Sequence, residues 1–141
     1  MGVTPVDTNT ELFGGKELDV VGEKVYSINL GNIIQIVCGQ HYDHKFNIEN
    51  DITVANPTDG SCFVVRYDPY NRTNPVRENL TELSAIIDSE VLHARAYMDG
   101  VLELLLSSGA ALTIRPKDKY EAWMYTFGNY ILACPPGGFS A

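Results

Sequence analysis

Apolar and polar positions alternate with no sustained period over the first two dozen residues, and Gly14-Gly15 and Gly22 interrupt them. Residues 1–24 therefore read as a polar lead-in to one globular domain whose β-rich body is 25–141. From Val25 the apolar positions become regular. Val25, Ile28 and Leu30 lead into Ile33-Ile34-Gln35-Ile36-Val37-Cys38, a β-branched run suited to a buried strand. Residues 44–48 and 51–55 read as short strands that turn at Glu49-Asn50. Asn56-Pro57-Thr58-Asp59-Gly60 is a strong turn signal, and 61–67 reads as the next strand. The stretch 68–75 is dense in turn formers and predicts an exposed loop.

One segment, 79–88, predicts a helix. Leu80, Leu83, Ile86 and Ile87 fall on one face, Asn79 stands at the N-cap, and Glu82 takes the capping-box position three residues on. So short a helix does not persist alone, so its apolar stripe must lie on a sheet. Beyond Glu90 the pattern is a meander. Strands near 92–98 and 101–107 flank Asp99-Gly100, which signals a two-residue hairpin. Further strands follow near 110–115, 120–126 and 130–134, before Pro135-Pro136-Gly137-Gly138 ends regular structure. The expected fold class is α+β: a mostly antiparallel sheet of seven to nine strands, strongly curved or split, with one short helix packed on it.

Composition narrows the function more than the fold. With 141 residues, 45% of them hydrophobic and 10% aromatic, the chain is a globular domain and not a disordered one. Its formal net charge of −8 argues against binding nucleic acid or an anionic membrane surface, and it suits a basic protein partner. Cys38, Cys62 and Cys134 are odd in number and far apart, and no signal-peptide pattern opens the chain. Both points lead us to expect the cytoplasm.

Cys38, His41 and His44, with Asp43 beside them, are the residue types a zinc ion takes. A structural site needs four ligands, usually in recognisable pairs. Alternation sends Cys38 into the core and leaves both histidines at a surface turn, so neither a metal nor a cofactor is expected. No nucleophile elbow, phosphate loop or dinucleotide turn occurs, and His93 reads as a structural residue within a strand. The expectation is therefore a protein that is not an enzyme.

Charge is distributed unevenly. Residues 1–60 hold nine acids against three lysines, whereas 61–141 hold nine acids against seven bases. An acidic face of this kind speeds capture of a cationic partner, and tyrosines near loops supply anchors. The partner-binding candidates are Tyr42, Asp43, Glu49, Asp51, Asp59, Tyr67 and Tyr70.

In the last third, Trp123 is the only tryptophan, and with Tyr125 it falls on one strand face, where it anchors the core. Alternation puts Glu121 on that face too, partly buried and in need of Arg115 or Lys119 as a donor, so Tyr120, Glu121 and Trp123 read as structural. The Asp99-Gly100 hairpin, Leu112-Thr113-Ile114-Arg115-Pro116, Tyr120-Glu121-Ala122-Trp123 and Pro135-Pro136-Gly137-Gly138 together look like a family of short bacterial proteins of unassigned function. Such proteins resemble the small acidic immunity proteins encoded beside secreted toxins, including those of contact-dependent growth inhibition. The resemblance implies a cytosolic protein that neutralises a cognate toxin domain by steric and electrostatic blocking. Its rivals are a structural or regulatory domain that self-associates through an edge strand, and a small enzyme or metal-binding domain using Cys38, His41 and His44.

Overall fold

In a computed structural model, which describes residues 16–56, 59–67 and 80–139, the strand patterns resolve into two antiparallel sheets. The chain runs through β1 (Lys16–Glu17), β2 (Val25–Leu30), β3 (Ile34–Cys38), β4 (His44–Ile48), β5 (Ile52–Asn56) and β6 (Ser61–Val65). A one-turn helix, α1 (Leu80–Ser84), precedes β7 (Val91–Ala96), β8 (Leu102–Leu106), β9 (Ala111–Ile114), β10 (Trp123–Phe127) and β11 (Tyr130–Ala133). One sheet has the order β1-β7-β8-β9-β5-β6, the other β11-β10-β4-β3-β2. Eleven strands among the described residues exceed the seven to nine expected, and the sheet is split rather than merely curved.

The extra strands have local causes. The long apolar run 25–38 reverses at Gly31-Asn32-Ile33, so it forms two strands paired Ile28↔Ile36 and Leu30↔Ile34. Lys16–Glu17 adds to the edge of β7, which carries Leu18 and Val20 into the core from the stretch read as a lead-in. Alternate residues of both sheets, such as Ile36, Phe46 and Tyr125 on one and Val54, Leu104 and Leu112 on the other, share a single core. The helix signal holds only for its first turn. After Ser84 the bonds tighten to Ala85 N–H on Glu82 O, Ile86 N–H on Leu83 O and Ile87 N–H on Ser84 O. That three-residue winding keeps Leu83 and Ile86 buried and swings Ile87 outward, against the expected apolar face. Asn79 and its cap lie outside the described residues.

The β7–β8 turn is one residue longer than Asp99-Gly100 alone implied. Tyr97 N–H donates to Val101 O, and Gly100 N–H returns to Tyr97 O, with Gly100 at φ 93. Met98, Asp99 and Gly100 thus make a type I turn closed by a left-handed glycine. The carboxy-terminal residues close over this turn. Trp123 Nε1 donates to Gly100 O at 2.8 Å, and Phe139 N–H donates to Met98 O at 2.8 Å. A side chain on Gly138 would overlap the Asp99 carbonyl, and one on Gly100 would lie 2.7 Å from Gly138 Cα. The motifs that carry the family resemblance are therefore one packed lock. Tyr120 and Glu121 stand outside it. Both are exposed, because the strand begins only at Trp123 and alternation does not reach back to Glu121.

Candidate partner-binding cleft

The chain crosses between the sheets three times, at β1–β2, β4–β5 and β9–β10, and the acidic candidates fall at two corners and in one hairpin turn. At the first corner, Glu49, Asn50 and Asp51 join β4 to β5. Lys117 Nζ donates to Glu49 O at 2.7 Å and lies 4.7 Å from the centre of the Tyr67 ring. Tyr67 N–H donates to Asp51 Oδ1 at 2.7 Å, and Asn50 Nδ2 donates to Arg115 O at 2.9 Å. Glu49, Asp51 and Tyr67 thus belong to a well-tied joint. Asp59 lies elsewhere, in the β5–β6 turn, where its Oδ1 accepts from Ser61 N–H; hydrogen bonds from the Ser61 hydroxyl first, then from the Ser61 backbone, lower its pKa. Tyr70 lies outside the described residues.

Tyr42 and Asp43 belong to the second corner, where the connection from β1 enters β2. Here Val25 N–H donates to Ser89 O, Asp88 N–H to Val25 O, and Val91 N–H to Glu23 O. Beside this stitching opens a cleft of about 380 Å³, lined by Gly22, Glu23, Lys24, Val25, Tyr26, Gly39, Gln40 and Asp88. A bulge between Val25 and Ser27 turns Tyr26 to the surface. Its ring packs against that of Tyr42, centroids 4.1 Å apart and planes tilted by 40°, and a hydrogen bond with Tyr26 raises the Tyr42 phenol above its ordinary range. The two residues are 53% and 49% exposed, so this aromatic pair faces water at the cleft mouth.

The two non-glycine residues with positive φ among those described, Tyr42 (φ 60) and Asp88 (φ 72), stand at this corner. Such backbone costs of order 1 kcal/mol or more and persists only where surroundings impose it. Tyr42 N–H on Gly39 O and Asp88 N–H on Val25 O are among the bonds that impose it. At the base of the cleft, a methyl group on Gly39 would sit 3.0 Å from Asp43 Oδ1, 3.1 Å from the His44 ring and 3.4 Å from Glu23 Oε1. Three ionisable side chains therefore converge where only a glycine fits.

His44 departs from the surface position expected of it. As the first residue of β4 it pairs with Cys38 and Phe127 and is only 4% exposed. Its Nδ1 lies 2.7 Å from the Tyr125 hydroxyl, and its ring stacks 4.1 Å from Phe127. Burial lowers its pKa from 6.5, opposed by Asp43, Glu23 and Asp19. Acidification therefore protonates the unfolded chain first. Stability should fall as pH drops below about 6.5 and level off below the folded value. Urea midpoints of wild type and His44→Gln at pH 7.5 and 5.0 check this, with the difference shrinking in the variant.

Cys38 is buried across from His44, and His41 is exposed in the turn. Among the described residues no three His, Cys, Asp or Glu side chains gather as they would around a metal ion. Burial first, then Glu23, pushes the Cys38 thiol up to about 12, and burial pushes Cys134 to about 11. Exposed Cys62 should accordingly be the one thiol that reacts rapidly with Ellman's reagent in the native protein, with Cys38 and Cys134 reacting on denaturation. His93 is exposed, 3.8 Å from Glu17.

A family of unknown function, DUF6188, matches residues 16–140. The chain belongs to that family. The match spans both sheets, the cleft and the lock, so it bears on the whole fold rather than one motif. Among curated proteins and among solved structures nothing matches this family member. No helix among the described residues is long and apolar enough to cross a membrane. Sequence reasoning picked out Tyr42 and Asp43 but missed Glu23, Tyr26 and Asp88. The available signal was Gly22 ahead of Glu23, marking a turn; the bulge at Tyr26 and the left-handed Asp88 leave none.

Proposed function

We propose that this protein is a cytoplasmic immunity-type inhibitor that binds a basic bacterial toxin domain through the cleft at the β2 corner. The observation that carries the reading is the exposed Tyr26–Tyr42 pair, held beside Glu23, Asp43 and Asp88 by backbone that an unconstrained chain avoids. Rigid aromatic surface next to carboxylates is what an arginine- or lysine-bearing segment binds, through stacking and ion pairing. The net charge of −8 draws such a partner in. Inhibition is steric and electrostatic: the partner's cations, needed for its own substrate, are occupied by this domain. The test is co-purification of the tagged protein with the product of the adjacent gene. A stable complex that Tyr42→Ala weakens supports the reading. No complex with a folded, basic neighbouring product overturns it.

Self-association through an edge strand is a second reading with one observation in its favour. β2 reads Val-Tyr-Ser-Ile-Asn-Leu, without the charge or proline that usually guards an open edge. Sizing at micromolar concentration separates the two: a dimer favours the edge, a monomer the cleft.

A further inference from the structure

We propose that His44 makes cation capture at this cleft sensitive to pH, so that binding weakens on acidification. The inference deepens the proposed function and rests on it. His44 packs directly behind the cleft, its ring against Gly39, which also lines the opening. The Glu23 and Asp43 carboxylates crowd the same point beside Gly39 that the His44 ring does, so an imidazolium would sit among the groups that attract the partner's cation.

The groups facing the imidazole can be named element by element. β3 contributes Cys38; β10 contributes Tyr125, with Tyr130 of β11 edge-on behind it. Asp43 comes from the turn before β4, and Glu23 and Asp19 from the connection into β2. Lys24 is the cation lining the cleft. Neutral imidazole suits this setting: it shares one hydrogen bond with the Tyr125 hydroxyl and stacks on Phe127. A protonated ring must donate at Nδ1, which obliges the Tyr125 oxygen to accept. Burial lowers the imidazole's pKa from the ordinary 6.5, against the opposing pull of the Asp43, Glu23 and Asp19 carboxylates. Once protonated, His44 offsets negative charge that the cleft presents. Linkage makes the effect mutual: a bound cation disfavours the proton as much as the proton disfavours the cation.

Hexa-arginine peptide serves as the probe, because guanidinium stays charged throughout the range used. We expect NMR signals of Tyr26, Gly39 and Gln40 to shift with peptide at pH 7.5, and affinity to drop about fivefold by pH 5.0. His44→Gln cannot take the proton and should show a nearly flat profile. In the wild type, saturating peptide should move the His44 imidazole titration to lower pH, a readout that stands even if the variant does not fold. An equal pH dependence in His44→Gln, or a His44 titration that peptide leaves unmoved, overturns the proposal while leaving the cleft reading intact. Peptide that leaves the cleft signals unchanged at pH 7.5 overturns both.

Discussion

Trp123→Ala is expected to lower stability by about 3–5 kcal/mol, the usual range for deleting a large buried aromatic. The indole is 1% exposed, packs against Phe139 at 5.9 Å, and donates to Gly100 O. Its loss leaves a cavity and also leaves Gly100 O, within the lock over the β7–β8 turn, with only the weak Cys134 thiol as donor. Domains of this size total roughly 5–15 kcal/mol, so the variant should be marginal. Gly138→Ala attacks the same lock from the backbone side. Its Cβ would overlap the Asp99 carbonyl, and φ 96 strains any residue but glycine. Tyr120→Ala is the control: Tyr120 is 70% exposed, so a change within about 0.5 kcal/mol is expected. Urea unfolding followed by circular dichroism reads all three. A Trp123→Ala midpoint equal to wild type would refute the lock.

What was legible in the chain follows from the range of the interactions involved. Alternation is local, so β4, β5, β8 and β9 lie where their apolar periods put them. The lock's parts were legible as separate motifs, but not their meeting, since residues near 99, 123 and 138 find one another only through sheet order. Errors arose where one bond pattern gives way to another. Ile87 swings outward because the helix tightens after Ser84, and His44 turns inward because β4 starts two residues after the left-handed Tyr42. Tyr42 and Asp43 were legible as loop residues in an acidic region. Their alliance with Glu23, Tyr26 and Asp88 was not, because it needs a bulge, a helix terminus and a hairpin turn to converge on one corner. The same convergence separates them from Glu49, Asp51 and Asp59, which composition alone had pooled into one face.

That separation yields the second large effect. Reversing Glu23 and Asp88 to Lys should slow association with the adjacent gene's product about tenfold or more at low salt, and Asp59→Lys should barely change it. Steering by charge raises association rates by about 10–10³, and it depends on where the charge lies as well as its sum. Each reversal alters net charge by the same amount per residue, so a single Glu23→Lys compared with Asp59→Lys isolates position. Glu23 lines the cleft, whereas Asp59 caps the β5–β6 turn by accepting from Ser61. Screening offers an independent check, since the Debye length shrinks to about 8 Å at physiological ionic strength. Wild-type association should slow with added salt, and the Glu23→Lys, Asp88→Lys variant should have lost most of that dependence. Tyr42→Ala should act differently, leaving the association rate nearly unchanged and speeding dissociation, because an aromatic anchor works only once the partner is seated. Stopped-flow kinetics at two salt concentrations distinguish these outcomes. Equal slowing by Glu23→Lys and Asp59→Lys would mean that the partner responds to overall charge, and the cleft would lose its claim to be the binding site.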